Sequence, residues 1–179
     1  MPGFTIRPLA PADVPAAQAV MMRSVVEDFG AEHDAVIHAD IDDLLGTYDR
    51  ADGPFMLVVV DEVTDQIVAT GGMRDGRLRP GVTPEDLVER YDDGSTGQVV
   101  RVYTLREHRR RGIAKALVRN VLDKAARDGH YERIAFHTLL SSPGAVAFWT
   151  AMGAELVHDD TYGPSEAMYY EFPALARIP

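Results

Sequence analysis

The residues best placed to do chemistry together form the stretch Arg109-Arg110-Arg111-Gly112-Ile113-Ala114. It is preceded by a β-rich run, Gln98 to Leu105. It is followed by a segment in which Ile113, Leu117, Val121 and Ala125 recur every four residues, with Ala114, Val118 and Leu122 beside them. That order reads as a strand leading through a basic turn into an amphipathic helix. The first turn of a helix has N–H groups without intrahelical partners and the positive end of the helix dipole, which together attract phosphate oxygens. A glycine just inside that turn lets a ligand approach the backbone, because no Cβ stands in the way. Arginines beside it add charge-assisted hydrogen bonds. The expected chemistry is therefore anion binding by backbone. The Gly-Lys-Ser/Thr element of a P-loop and the G-x-G-x-x-G spacing of a dinucleotide fold are both missing.

Charge points to the same place. The 179 residues carry 18 Lys+Arg against 28 Asp+Glu, a net charge of −10. Residues 101–127 hold nine basic side chains (Arg101, Arg106, Arg109, Arg110, Arg111, Lys115, Arg119, Lys124, Arg127) and two acidic ones, Glu107 and Asp123, so they are +7 and the remainder is −17. A cationic island on an acidic chain suits one local anionic ligand, not nucleic acid or an anionic membrane. Segment 27–52 is the opposite, with nine acids and a single base, Arg50. If it borders a substrate cleft, its charge of −8 attracts cationic amines. There is no cysteine, which excludes disulfides, thiolate zinc and a cysteine nucleophile. His33 and His38 are five apart, not the four that sets two ligands on one helix face, so Glu32, His33, Asp34, His38 and Asp40 are not expected to hold a metal. The longest apolar run, Phe55 to Val60, is six residues, far below the roughly 20 of a membrane span. The start, Met1 to Pro8, lacks the apolar core of a signal peptide. The reading is cytoplasmic.

Around the basic turn, the chain must supply elements that hold it. Thr5 to Arg7 reads as a short strand closed by prolines. Asp13 is a candidate N-cap for a helix carrying Val14, Ala17, Val20, Met21 and Val25. A second helix is expected over Asp40 to Tyr48. Phe55 to Val60 and Gln66 to Thr70 form a hairpin, with Gly71-Gly72 ending or bulging its second strand. Residues 75–97 read as an insertion with a short helix, Pro84 to Tyr91. After the basic turn and its helix, which Gly129 stops, come a strand (Arg133 to Leu140), a helix capped at Ser142-Pro143, and two strands, Ala154 to His158 and Ala167 to Phe172. No repeat or low-complexity linker divides residues 1–179, so one domain is expected. The fold class is α/β: an α+β sandwich, with a mixed, mostly antiparallel sheet of about six to seven strands flanked by about four helices.

With Arg109, Gly112 and Ala114 matching Arg/Gln-x-x-Gly-x-Gly/Ala, the sequence resembles the GNAT N-acetyltransferase superfamily. The stretch Phe148-Trp149-Thr150-Ala151-Met152-Gly153-Ala154 looks like that family's Phe/Leu-Tyr-x-x-x-Gly-Phe, and element order agrees from about residue 4 to 172. The resemblance implies acetyl-CoA as cofactor, with the pyrophosphate held by N–H groups of Arg110, Arg111, Gly112, Ile113, Ala114 and Lys115. It implies that the edge formed by Val102, Tyr103 and Thr104 pairs with the pantetheine arm. It further implies that Ser142, Phe148 and Trp149 border the cofactor. The Thr104 N–H would polarise the thioester carbonyl, and acetyl would pass directly to a primary amine, small or N-terminal. A non-catalytic acyl-CoA-binding module on the same fold is the alternative. A monomer or homodimer is compatible with either.

Three positions depart from the family pattern. Gln98 stands where many members have a basic carboxylate, Ser142 where many have asparagine, and Trp149 where a tyrosine acid is frequent. Gln98 cannot take a proton, and an indole does not protonate a thiolate; Trp149 instead packs against core or cofactor. An alkylamine with pKa about 10.4 is neutral about once in 2,500 molecules at pH 7, a handicap of roughly 4.6 kcal/mol, against about 1 kcal/mol for an α-amino group. The loss of the carboxylate therefore favours a low-pKa acceptor. Glu27, Asp28, Glu32 and His33 fall where the family covers its acceptor, and with Gln98 they are the candidate substrate residues. His137 either faces the cleft or is an ordinary strand histidine. Tyr103, Tyr162, Tyr169 and Tyr170 are either acids or core aromatics.

Overall fold

The computed structural model describes residues 3–50, 53–76, 83–91, 93–139, 144–163 and 165–173. Among these, seven strands form one mixed sheet: β1 (Phe4–Pro8), β2 (Phe55–Asp61), β3 (Gln66–Asp75), β4 (Thr96–Thr104), β5 (Arg133–Leu139), β6 (Glu155–Asp160) and β7 (Ala167–Phe172). Their spatial order is β1-β2-β3-β4-β5-β7-β6. Every neighbouring pair is antiparallel except β4 with β5. Six α-helices accompany them: α1 (Val14–Phe29), α2 (Ala39–Asp42), α3 (Leu44–Tyr48), α4 (Glu85–Tyr91), α5 (Ile113–Asp128) and α6 (Ala145–Ala151). This is the expected α+β sandwich, with six helices where about four were expected to flank the sheet.

Strand β2 shows why the sheet is covered on both sides. Every residue of it is buried, and successive side chains point to opposite faces. Leu57 and Val59 join a core with Leu117, Val121 and Leu122 of α5 and with Phe136, Trp149 and Phe172. Met56, Val58 and Val60 join a second core with Ala17, Val20 and Met21 of α1 and with Ile41, Leu44 and Tyr48. A strand with two dry faces reads as an unbroken apolar run. On the α1 face a third, smaller cluster seats Leu87 and Tyr91 of α4 on Ala135, Ala167 and Tyr169. Helix α5 buries Ile113, Leu117, Val118, Val121, Leu122 and Ala125 along one stripe, and ends where Gly129 turns left-handed at φ +66°.

Two local expectations are corrected. Asp13 stands at the N-cap position of α1, but its side chain makes no capping bond to that helix: the carboxylate pairs with Arg7 and accepts from the Ala10 N–H at 2.7 Å, closing a 3-10 turn at Pro11–Asp13. The run from Asp40 to Tyr48 is two helices, because Asp43 leaves helical geometry and its side chain accepts from the Gly46 N–H at 3.0 Å, capping α3. The helix start expected at Ser142-Pro143 lies outside the described residues. Among those described, no helix is long and apolar enough to cross a membrane.

The sheet is irregular where β4 begins to diverge. Gly72 pairs with Val100 and Thr70 with Tyr103, so the single residue Gly71 opposes both Arg101 and Val102. The glycine pair thus sits opposite a bulge carried by β4. Arg101 takes a left-handed φ of +53° there, and its carbonyl accepts from the Thr70 hydroxyl at 3.0 Å. Strands β4 and β5 pair only at Thr96–Arg133, Gly97–Ile134 and Gln98–Ala135. Beyond Gln98, β4 stays with β3 and β5 stays with β7, and the facing edges part into a V-shaped cleft.

Candidate active site

The connection from β4 to α5 runs through a 3-10 turn, Arg106–His108, and then two left-handed residues, Arg110 at φ +62° and Gly112 at φ +80°. Among the described residues, none of the N–H groups from Arg110 to Lys115 has an acceptor; the helix ladder begins with the Ala116 N–H on the Gly112 carbonyl at 3.0 Å. A Cβ at Gly112 would meet no atom within 4 Å, so the approach over the turn is open. Ile113 is buried and anchors the turn, while Arg110, Arg111 and Lys115 are exposed. Arg111 also lies over the Phe4 ring, 4.5 Å from its centroid. Six adjacent free donors, an open glycine and nearby cations fit a diphosphate.

The edge of β4 faces the same cleft. The Leu105 N–H donates to the Val68 carbonyl at 3.0 Å, so by strand alternation Thr104 directs its own N–H and carbonyl to the other side, where β5 has departed. Arg109 Nε donates to that Thr104 carbonyl at 2.9 Å, and the same guanidinium pairs with Asp28 at the end of α1. Thr104 is only 8% exposed, and its hydroxyl is buried without a partner among the described residues.

On the α1 face, a row of polar side chains runs between the two apolar clusters. Arg101 donates to Asp40 through Nε at 2.9 Å and Nη2 at 2.5 Å, and to the Ile37 carbonyl at 2.8 Å. The Tyr48 hydroxyl donates to Asp40 at 2.5 Å, and Arg74 lies 3.7 Å from it. Burial works to raise the Asp40 carboxyl, but the hydrogen bonds and charge of Arg101, helped by Tyr48 and Arg74, hold it below the usual carboxylate range. Tyr48 is pushed up by burial and by the Asp40 charge. The row continues with Arg74 Nε donating to Gln98 Oε1 at 3.0 Å and with Gln98 Nε2 lying 3.3 Å from His137 Nδ1.

The residues singled out in the sequence separate into groups here. Val102, Tyr103, Thr104 and the turn from Arg109 to Lys115 border the β4–α5 side of the cleft, and Gln98 and His137 sit at its apex. Glu27 and Asp28 are engaged elsewhere: Glu27 with Arg23 at 2.7 Å, Asp28 with Arg109 and with Arg106 at 3.0 Å. His33 faces Asp42 at 2.9 Å, and Glu32 is exposed. With Asp40 on Arg101 as well, three of the nine acids of segment 27–52 are already matched by arginines, among them the two nearest the turn, Glu27 and Asp28. Phe148 is half-buried against the α5-side core. Trp149 is a core residue, 8% exposed, its ring 4.2 Å from Phe136 and 4.9 Å from Phe148. Ser142 lies outside the described residues. Tyr169 and Tyr170 are buried, Tyr162 is fully exposed, and Tyr103 lies half-buried with its hydroxyl 3.5 Å from Arg101. Tyr48 and Arg74 escaped the sequence reading, and Asp40 entered it only among residues weighed as metal ligands. The signal was Arg101 itself, because an arginine inside Val99-Val100-Arg101-Val102 has to find a buried carboxylate.

Residues 21–154 match the model of the acetyltransferase (GNAT) family. No curated protein sequence matches the chain. A GNAT-family acetyltransferase from Staphylococcus aureus has the same fold, with a TM-score of 0.72 at 14% identity, covering 94% of this chain and 97% of that one. PaiA N-acetyltransferase from Thermoplasma acidophilum, in complex with coenzyme A, gives 0.68 at 15% identity over 94% and 97%. The ribosomal-protein-S18-alanine N-acetyltransferase of Escherichia coli gives 0.63 at 14% identity over 96% and 94%. With residues 21–154 matched by that family's model and the same fold in these structures, the chain belongs to the GNAT acetyltransferase family and is an acyltransferase that uses acetyl-CoA.

Proposed function

We propose that the protein transfers acetyl directly to a primary amine, either a small molecule or a peptide N-terminus, with an α-amino or otherwise low-pKa group preferred. The observation that carries this reading is the run of acceptor-free N–H groups from Arg110 to Lys115, set beside the open edge of β4. Acetyl-CoA, when bound, supplies a thioester whose carbonyl carbon an amine can attack. The chain's own part is to bind and orient. The Arg110 to Lys115 N–H groups hold the pyrophosphate, and Val102 to Thr104 pair with the pantetheine arm as an added strand does. The Thr104 N–H donates to the carbonyl oxygen as charge builds there; a donor in that role is typically worth about 2.7–4 kcal/mol.

The preference for a low-pKa amine rests on the apex of the cleft. Arg74 has only donors, so Gln98 presents Oε1 to it and turns Nε2 toward His137. The His137 Nδ1 lone pair then accepts from Gln98, which leaves neither residue with a vacant basic site at that contact. An amine that arrives already neutral needs no base. Isothermal titration with acetyl-CoA, beside dephospho-CoA and ATP, tests the cofactor site. A free-thiol assay over α-amino and alkylamine acceptors tests the transfer. Micromolar binding with faster turnover of α-amines is the expected result. Tight binding with no thiol release from any amine would instead assign a binding module.

A further inference from the structure

We infer that Asp28 and Arg109 form a clamp that fixes the end of β4, making Asp28 a positioning residue instead of part of the acceptor pocket. The inference rests on the reading of the Thr104 N–H as the thioester's donor. Beyond Gln98, β4 pairs within the sheet with β3 alone, because its pairing with β5 has stopped, and Arg101 is its anchor to Asp40 and Ile37 three residues before Thr104. Thr104 is the last residue of the strand, and a donor that must meet developing charge has to be held to within about 0.5 Å.

Arg109 supplies the missing restraint from the open side. Its fork reaches the Thr104 carbonyl with Nε at 2.9 Å and Asp28 with Nη2. The other Asp28 oxygen accepts from Arg106 Nε at 3.0 Å, and Arg106 also donates to the Glu27 carbonyl at the end of α1. Both carboxylate oxygens are thus committed to guanidiniums, and the two cations beside Asp28 repel an arriving ammonium. That is the wrong arrangement for gripping an amine. It is the right one for tying β4 to α1, whose sixteen residues are packed into the core through Ala17, Val20, Met21 and Val25.

The test compares Asp28→Asn, Arg109→Lys, the double variant and a control, Glu107→Gln. Lysine keeps the charge near the turn but cannot span both partners. The control cuts the Arg23–Glu107 pair, which joins α1 to the 3-10 turn after β4 without touching Thr104. The first readout is amide hydrogen exchange of the protein without ligand. The Leu105 amide, bonded to Val68, should exchange about ten-fold faster in each single variant. The double variant should be no faster than either, and the control and the Val99 and Val100 amides should be unchanged. The second readout is thiol release from acetyl-CoA, which should fall about ten-fold while the titrated affinity for acetyl-CoA stays within about three-fold, as lost positioning without lost binding requires. Unchanged Leu105 exchange in Asp28→Asn, or an equal rise in Glu107→Gln, overturns the clamp. A raised acceptor KM with unchanged exchange would return Asp28 to the acceptor pocket. Failure of the wild-type protein to bind acetyl-CoA would remove the proposed function yet leave the exchange result standing, so the two ideas fail separately.

Discussion

Replacing Asp40 by asparagine removes one charge from a place where Arg101 has little water to turn to. The carboxylate is 7% exposed and the guanidinium 13%, and they share two hydrogen bonds, at 2.9 and 2.5 Å. Asparagine keeps the shape and one carbonyl acceptor, but turns an N–H2 group toward donors from Arg101 or Tyr48. Breaking a buried pair from one side costs about 3–5 kcal/mol, since the surviving charge stays desolvated. Taking the lower figure, about 3 kcal/mol, and 2–4 °C per kcal/mol for a chain of this size, the melting temperature should fall by about 6–12 °C. The double variant Asp40→Asn/Arg101→Met removes both charges and should recover at least half of that loss. The pH dependence has a definite sign. A carboxyl held below its unfolded pKa of about 3.9 stabilises the fold above that pH and loses the contribution as pH falls further. The gap between wild type and Asp40→Asn should therefore be full at pH 7 and shrink below about pH 4. Urea denaturation followed by circular dichroism at both pH values measures all of this. An Asp40→Asn variant within about 0.5 kcal/mol of wild type, or a double variant as damaged as the sum of the singles, would refute the reasoning.

Gly112→Glu places a carboxylate over the free N–H groups and an L side chain at φ +80°; titration should show acetyl-CoA affinity down by at least about 100-fold, alongside a stability loss of about 1–2 kcal/mol from the backbone conformation. Trp149→Ala should cost about 3–5 kcal/mol in urea denaturation, as an emptied aromatic core site does, whereas Trp149→Phe should keep most of the thiol-release rate, which a catalytic acid at this position would not allow. For a diamine acceptor, KM should change less than about two-fold between 50 and 500 mM salt, because the carboxylates of Glu27, Asp28, Asp40 and Asp42 already have cationic or imidazole partners. A steep salt dependence would restore the steering idea.

Features carried by local pattern were legible before any coordinates. The stripe on α5, the hairpin of β2 and β3, and the turn at Gly112 each follow from neighbours within a few residues. Features made by long-range partners were not. Arg101 and Asp40 are 61 positions apart, and neither charge announces the other. Asp28 reads as an acid near a substrate until Arg109, 81 positions away, is found holding it. The capping bonds of Asp13 and Asp43 were hidden for one reason: a short acidic side chain binds whichever backbone N–H lies nearest, and which one that is depends on how the chain has already turned. Trp149 sits in a family motif, yet its aromatic neighbours Phe136 and Phe172 decide its role.

The three-residue contact between β4 and β5 has a consequence for how the molecule comes apart. Strands β1 to β4 follow one another in space as they do in sequence, while β5, β7 and β6 form a second antiparallel unit. Among the described residues, the two units pair within the sheet at Thr96, Gly97 and Gln98, and the Ser95 carbonyl adds bonds from the Glu132 N–H at 2.8 Å and the Arg133 N–H at 3.4 Å. The core on the α5 side spans both units, but at this seam the sheet's own bonds are fewest, so exchange should report these three pairs opening before those of the β2–β3 hairpin. A ligand lodged in the V touches both banks, and its binding free energy then adds to the seam. At a hundred times its dissociation constant that amounts to about 2.7 kcal/mol. If the cleft takes the cofactor as proposed, the cofactor would by the same geometry act as a rivet.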